Sequence, residues 1–222
     1  MVKIELCAAT QEAVLLAKEK GLDRIELCQN LEQGGLTPSF GMIEYAMDLG
    51  LETHVLIRPR AGGFCYSKEE LKVIFKDIIS CKKLGVHGVV VGVLKNNFEI
   101  DQDVLKQINA ISGDLVLTFH RAFDAVSNYE QALEAVISCG FSTILTSGTF
   151  PNVMEGKEVL KKLVFQAKNR IEIMPGGGLR STNISELNQI VGANWYHSSA
   201  ITDGSEIANP NEIIQLKEKL QS

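Results

Sequence analysis

Apolar residues recur along this chain with two periods, one typical of strands and one typical of helices. In 115–120, for example, Leu115, Leu117 and Phe119 occupy every second position, which is the period of a strand. The same pattern predicts eight strands, at 3–7, 24–28, 53–57, 88–93, 115–120, 143–147, 171–174 and 195–198. Helical periodicity fills the segments between and after them, at 10–20, 39–49, 68–84, 101–111, 127–139, 156–168, 181–191 and 210–221.

Strand and helix alternate regularly through the 222 residues of the chain. This alternation favours a parallel sheet with right-handed crossovers, and eight such units predict an α/β protein with a single-domain (β/α)8 barrel, the TIM barrel, over 1–222. A doubly wound open sheet is the alternative. Two helix starts carry the pattern of a capping box, Ser67 with Glu70 and Ser127 with Glu130.

The composition indicates a soluble globular protein, with 45% apolar and 22% charged residues. A net charge of −5 and the lack of a basic run argue against nucleic acid as a partner. No apolar run approaches about 18 residues, and the first residues do not form a secretory signal, so we expect no membrane segment and a cytosolic location. The cysteines number five, and an odd count argues against a disulfide framework.

Alternate residues of each barrel strand face the interior. Six side chains of the first, second and fifth strands are therefore predicted to point inward: Glu5, Cys7, Glu26, Cys28, Thr118 and His120. Buried charges need partners, so we expect an internal salt bridge at Glu5, which lies deep in the barrel. Glu26, Arg58 and His120 lie nearer the C-terminal rim, where active sites of this fold are found.

An imidazole, a guanidinium and a carboxylate follow one another at the end of the fifth strand, as His120, Arg121 and Asp124. One hypothesis is an acid/base site in which His120 or Glu26 transfers protons and Asp124 orients Arg121. The structural alternative is that Asp124 pairs with Arg121 to fix the turn, and that His120 is a core residue.

The same hypothesis needs groups that bind an anion. Arg58 and Arg60 follow the third strand, and a guanidinium suits carboxylate and phosphate. The loops after the seventh and eighth strands are the expected phosphate-binding elements, through Gly176, Gly177, His197 and Ser198. The alternative for the glycines is a tight turn that needs positive φ.

A competing hypothesis is metal binding by cysteine. Cys7 and Cys28 fall at the ends of neighbouring predicted strands, with Cys65 on a nearby loop, and soft thiolates favour Cu(I). The alternative is that these cysteines act as small apolar residues in the core. No CxxC or HExxH spacing occurs, which argues against a structural zinc site.

The chain resembles the CutC family, named for copper homeostasis, over nearly its whole length. The resemblance rests on RIELCQNLEQGGLTPSFG (24–41), LIRPRAGGFCYS (56–67), GVVVGVL (88–94), LTFHRAFD (117–124), ILTSG (144–148) and HSSA (197–200). It implies a (β/α)8 barrel, a cytoplasmic location, a homodimer and a link to copper tolerance, with copper binding proposed for the family.

Two functions therefore stand side by side as expectations. The first is a copper-handling protein in which Cys28, with Cys7 or Cys65, holds Cu(I) and passes it to a partner. The second is an enzyme acting on a small phosphorylated or carboxylated molecule, and a non-catalytic scaffold is a third possibility. The enzyme would use a rim set made of Glu26, Arg58, Arg60, His120, Arg121, Asp124, Ser147 and His197.

The chain departs from the family pattern at one position of this rim. The family often has RPRGGDF where this chain has RPRAGGF, with Ala61 and Gly63. Any mechanism or ligand site that needs an acid at position 63 is weakened.

Overall fold

Eight strands and eight helices alternate along residues 2–221, which are the residues described by the structure, a computed structural model. The strands are β1 (Lys3–Ala8), β2 (Arg24–Leu27), β3 (Thr53–Leu56), β4 (Gly88–Val91), β5 (Val116–Phe119), β6 (Thr143–Thr146), β7 (Glu172–Pro175) and β8 (Trp195–Ser198). The helices are α1 (Gln11–Glu19), α2 (Phe40–Asp48), α3 (Lys68–Leu84), α4 (Gln102–Ser112), α5 (Tyr129–Ser138), α6 (Lys157–Ala167), α7 (Ile184–Val191) and α8 (Pro210–Gln221). Short 3-10 helices span Leu31–Gln33 and Arg121–Ala125.

The strands form one parallel sheet in the order β7-β6-β5-β4-β3-β2-β1-β8. Neighbours in the chain are therefore neighbours in the sheet, and β8 pairs with β1. The remaining gap between β7 and β8 is spanned by one bridge, between Gly176 and His197. The sheet is thus a nearly closed barrel, which confirms the predicted TIM-barrel fold and excludes the open doubly wound sheet.

Polar side chains at the helix starts explain where several helices begin. Ser67 and Glu70 form the predicted capping box at α3. The predicted box of Ser127 with Glu130 is wrong, because Asn128 caps α5 by accepting hydrogen bonds from the backbone N–H groups of Glu130 and Gln131. Asparagine caps helices as well as serine does, and here it shifts the helix start by one residue.

The two faces of the strands bury different residues, as the alternating pattern predicts. One face packs against the helices and supplies the main core, through Ile4, Leu6, Ile25, Leu27, Leu117 and Phe119. The other face fills the barrel, and Cys28, Leu56 and Val90 form a smaller apolar cluster there with Cys7 packed against it. No helix within residues 2–221 is long and apolar enough to cross a membrane.

Charged residues occupy the middle of the barrel, and they are paired. Glu5 lies opposite Arg24 on β2 and His197 on β8. Its carboxylate accepts a hydrogen bond from Arg24 Nε at 2.6 Å, which is the expected internal salt bridge. Burial alone would raise the pKa of Glu5, but Arg24 and His197 hold that pKa at about 2. Glu5 is therefore ionised inside the barrel.

Candidate functional site

A cavity of about 110 Å³ lies at the C-terminal mouth of the barrel. It is lined by Cys7, Glu26, Gly34, Leu56, Phe64, His120, Arg121, Leu145 and His197. A larger open groove, of about 660 Å³, lies near the N-terminal ends of β6, β7 and β8, but its lining contains no thiol or imidazole. The chemistry predicted from sequence is therefore concentrated in the smaller cavity.

The thiols of Cys7 and Cys28 meet beside this cavity. Cys7 lies in β1 next to Glu26 of β2, and Cys28 follows β2 directly, so the barrel register brings them together. The two Sγ atoms lie 3.6 Å apart and no disulfide joins them. The hydrogen bond with Cys28 and burial raise the pKa of the Cys7 thiol well above its ordinary value. A metal ion that binds Cys7 would therefore have to displace the proton of its thiol.

Cys7, Glu26 and His197 form a cluster whose potential ligand atoms all lie within 4.8 Å of one another. His197 Nδ1 lies 2.7 Å from Glu5 Oε1 and 3.5 Å from Glu26 Oε2. Burial opposes a charge on His197, but hydrogen bonds with Cys7 and Glu5 and the charge of Glu26 raise its pKa well above the ordinary value. These contacts therefore favour the protonated form of the imidazole.

Glu26 differs from Glu5 although both carboxyl groups are buried. Burial raises the pKa of Glu26 to about 7, with the Glu5 charge adding to the rise and His197 opposing it. Its Oε2 atom accepts no hydrogen bond from the described residues. A carboxyl group with this pKa can hold or release a proton near neutral pH.

His120 presents a neutral imidazole to the same cavity. Its Nδ1 accepts a hydrogen bond from the Ala122 backbone N–H at 3.1 Å, so Nε2 carries the ring hydrogen. Burial and the charge of Arg58 lower the pKa of His120 to about 3. The ring fits only because position 92 is glycine, since a Cβ there would lie 2.6 Å from the imidazole. Among residues 2–221, Nε2 finds no hydrogen-bond partner.

Asp124 joins the segment after β5 to the loop after β6. It accepts hydrogen bonds from Arg121 Nε at 2.7 Å, from the Ser147 N–H and hydroxyl, and from the Thr149 N–H. The Thr146 hydroxyl also donates to it. Arg121 Nη2 donates in turn to Ser147 Oγ at 2.9 Å. Asp124 therefore fixes Arg121 at the mouth of the cavity.

Arg58 and Arg60 are engaged inside the rim loops rather than in the cavity lining. Arg58 donates to the backbone carbonyls of Gln33, Gly35 and Gly62, which ties the loop after β2 to the loop after β3. Arg60 pairs with Glu70 at the start of α3. Neither arginine is among the residues that line the cavity, although Arg58 Nε has no hydrogen-bond partner among residues 2–221.

The loops after β7 and β8 make several contacts within the protein. The Gly177 carbonyl accepts a hydrogen bond from the Val153 N–H, and the Ser198 hydroxyl donates to the Leu179 carbonyl. Gly176 forms the bridge that joins β7 to β8. Only His197 from this predicted set lines the cavity.

The remaining cysteines lie outside the thiol pair. Cys65 is exposed on the rim, where its thiol donates to Asn96 Oδ1, and it is absent from the cluster of candidate ligands within residues 2–221. Sequence reasoning assigned His197 to substrate binding and missed its contact with Cys7. The available signal was the alternation of β8, which turns His197 inward beside β1.

Acid should destabilise this fold through buried histidine. Burial, with the charge of Arg24, lowers the pKa of His54 from 6.5 to about 4. Between these two pH values, His54 is protonated in the unfolded chain but stays neutral in the folded protein. The stabilisation is therefore complete above pH 6.5 and is lost toward pH 4, at about 1.4 kcal/mol per pH unit. In His54→Gln, urea denaturation should show a decline in the free energy of unfolding that is less steep by about this amount.

His87 supplies the control for this experiment. It is exposed, and its Nδ1 accepts one hydrogen bond from the Thr53 N–H. His87→Gln makes the same change at an exposed ring, and comparison of the two variants isolates the effect of the buried one. An unchanged slope in His54→Gln would show that His54 is protonated in the folded protein.

Fold and site together define a (β/α)8-barrel protein with a thiol, imidazole and carboxyl cluster at its C-terminal mouth. The model of the CutC family matches residues 2–202. The chain is 41% identical to a CutC family protein of Xylella fastidiosa over 198 residues, which are 89% of this chain and 74% of that one. It is 40% identical to the human copper homeostasis protein cutC homolog, covering 89% of this chain and 72% of that one. The chain belongs to the CutC family.

A solved structure agrees with this membership. The CutC protein of Streptococcus agalactiae, provisionally described as a copper homeostasis protein, superposes with a TM-score of 0.86 at 34% identity. The match covers 91% of this chain and all of that one (100%).

Proposed function

We propose that this protein takes part in copper homeostasis by binding one Cu(I) ion between Cys7 and Cys28. The observation that carries the proposal is the 3.6 Å separation of the two Sγ atoms beside a cavity at the barrel mouth. A bond from thiolate to a metal such as zinc is about 2.3 Å long, so two sulfurs at this distance can reach one ion. Soft thiolates favour Cu(I), and because they also bind zinc, the charge around the site must separate the two metals.

The charges around the thiols suit a monovalent ion. Glu5 is neutralised by Arg24, which leaves the positive charge of His197 beside Cys7. Cu(I) held by two thiolates carries one net negative charge, which His197 would balance. A divalent ion held by the same thiolates would be neutral and would leave the His197 charge uncompensated in a buried site.

Glu26 fits the proton chemistry of this site. The Cys7 thiol has a raised pKa and must lose its proton when a metal binds. The Glu26 carboxyl group belongs to the same 4.8 Å cluster and can accept a proton near neutral pH. In this proposal, His197 stabilises the Cys7 thiolate by a hydrogen bond, and Glu26 takes up a proton on loading.

The names of the relatives support copper rather than the second predicted function. The human homologue and the Streptococcus agalactiae structure are described by copper homeostasis, the Xylella fastidiosa relative is named only for the CutC family, and none of these names describes a reaction. Internal partners also engage most of the Arg58 donors and pair Arg60 with Glu70, which leaves fewer donors for the anion that the predicted enzyme would bind. A cytosolic location and a homodimer, both implied by the family resemblance, belong to the same proposal.

An anaerobic Cu(I) titration against a competing chelator tests the proposal. Reduced wild-type protein should bind one equivalent of Cu(I) tightly, and Cys7→Ser/Cys28→Ser should lose this binding. The matched control is Cys81→Ser/Cys139→Ser, which removes two buried thiols outside the candidate cluster and should still bind one equivalent. Equal binding by wild type and Cys7→Ser/Cys28→Ser would refute the site.

A further inference from the structure

Among residues 2–221, His120 Nε2 and Glu26 Oε2 are buried polar atoms of cavity-lining residues that lack hydrogen-bond partners. Buried polar groups in folded proteins are almost always hydrogen-bonded, so each such atom calls for an explanation. Both residues line the same cavity at the barrel mouth. Their common position points to a ligand that supplies the missing partners.

The two atoms can take different partners: His120 Nε2 needs a hydrogen-bond acceptor, and Glu26 Oε2 can accept from a donor. His120 Nε2 is a hydrogen-bond donor, because Nδ1 of the same ring accepts from the Ala122 N–H. Glu26 Oε2 is an oxygen that can accept, and its nearest cation is His197 Nδ1 at 3.5 Å. A copper ion needs no N–H donor, so it cannot satisfy His120. A ligand that carries an acceptor for His120 and a donor for the ionised Glu26 carboxylate would satisfy both atoms.

Arg121 adds a positive charge to the same lining. Its Nε donates to Asp124 and its Nη2 to Ser147, while Nη1 makes no hydrogen bond within residues 2–221. A guanidinium held in place by two partners, with a donor still free, suits a carboxylate. The acceptor part of the ligand is therefore anionic.

We propose that this cavity binds a small 2-hydroxy carboxylate, such as glycolate or lactate. The carboxylate accepts hydrogen bonds from His120 Nε2 and Arg121 Nη1, and the hydroxyl group donates to Glu26 Oε2. A volume of about 110 Å³ holds about four groups the size of water, which matches an acid of two or three carbons. Leu56, Phe64 and Leu145 supply apolar walls for its carbon atoms.

Calorimetric titration of the reduced, metal-free protein tests this site. Glycolate and L-lactate should bind at one site per chain. Acetate should bind at least about tenfold more weakly, because it leaves the Glu26 oxygen unpaired. Equal affinity for acetate and glycolate would overturn the proposal, and so would the absence of glycolate binding, which would leave only water in the cavity.

Two variants with matched controls locate the ligand. His120→Asn keeps an oxygen for the Ala122 N–H but loses the Nε2 donor, and it should weaken glycolate binding by about tenfold or more. His87→Asn makes the same change at an exposed position and should bind normally. Arg121→Gln should weaken binding similarly, whereas Arg170→Gln, at an arginine that pairs with Glu134, should not. Wild-type affinity in both site variants would overturn the assignment.

The carboxylate site and the copper site can be refuted independently of each other. The glycolate titration uses metal-free protein, so its outcome does not depend on Cu(I). Absent glycolate binding with intact Cu(I) binding would remove only the carboxylate site. Absent Cu(I) binding with intact glycolate binding would remove only the copper site.

Discussion

Replacing Arg24 with methionine should lower the free energy of unfolding by about 3–5 kcal/mol. Arg24 is the main partner of the buried Glu5 carboxylate, with its Nε atom 2.6 Å from Glu5 Oε2. Its guanidinium also stacks on Trp195 at 3.9 Å. Methionine keeps the apolar stem but leaves Glu5 as a buried charge with only His197 to compensate it.

Urea denaturation at pH 7 measures the expected loss. The matched control is Arg170→Met, which breaks the solvent-exposed pair of Arg170 with Glu134 and should cost far less than Arg24→Met. In the double variant Glu5→Gln/Arg24→Met the buried charge is gone, so part of the lost stability should return. An equally small loss in Arg24→Met and Arg170→Met would contradict the buried charge pair.

Replacing Asp124 with alanine should cost about 3–5 kcal/mol, because several donors lose their acceptor at once. The Ser147 and Thr149 backbone N–H groups both point at this carboxylate. Thr149 has a φ of +65°, a left-handed conformation that a residue with a Cβ adopts only when its surroundings hold it. The variant should also bind glycolate more weakly, since Arg121 loses the partner that fixes it.

The control for this variant is a carboxylate that accepts a single backbone hydrogen bond. Asp101 caps α4 by accepting a hydrogen bond from the Val104 N–H, and Asp101→Ala should cost about 1 kcal/mol. Thermal and urea unfolding of the two variants compare the costs directly. Similar losses in Asp124→Ala and Asp101→Ala would mean that the loop after β6 does not depend on Asp124.

The fold followed from sequence because its signal is local and repeated. Strand alternation in segments such as 115–120 fixes which face meets the helices, and parallel neighbours in sequence order then close a barrel. The same alternation turned Cys7 and Glu26 inward, and the register placed them side by side. The error at Ser127 arose because two adjacent residues, Ser127 and Asn128, can both cap a helix.

The candidate site was only partly predictable, because side-chain partners lie far apart in the chain. Sequence gave no sign that Arg58 would be enclosed by the carbonyls of Gln33, Gly35 and Gly62. The closing contact of β8 with β1, which joins His197 to Glu5, spans 192 residues. Opposite pKa shifts in Glu5 and Glu26 likewise depend on which cation stands beside each carboxyl group.

The copper site is tested most directly by diffraction at the copper absorption edge from crystals grown anaerobically with Cu(I). The anomalous difference map should contain one strong peak, between the Sγ atoms of Cys7 and Cys28 at the barrel mouth. A map with no peak there, or with copper only at the exposed Cys65, would contradict Cu(I) binding by the buried thiol pair.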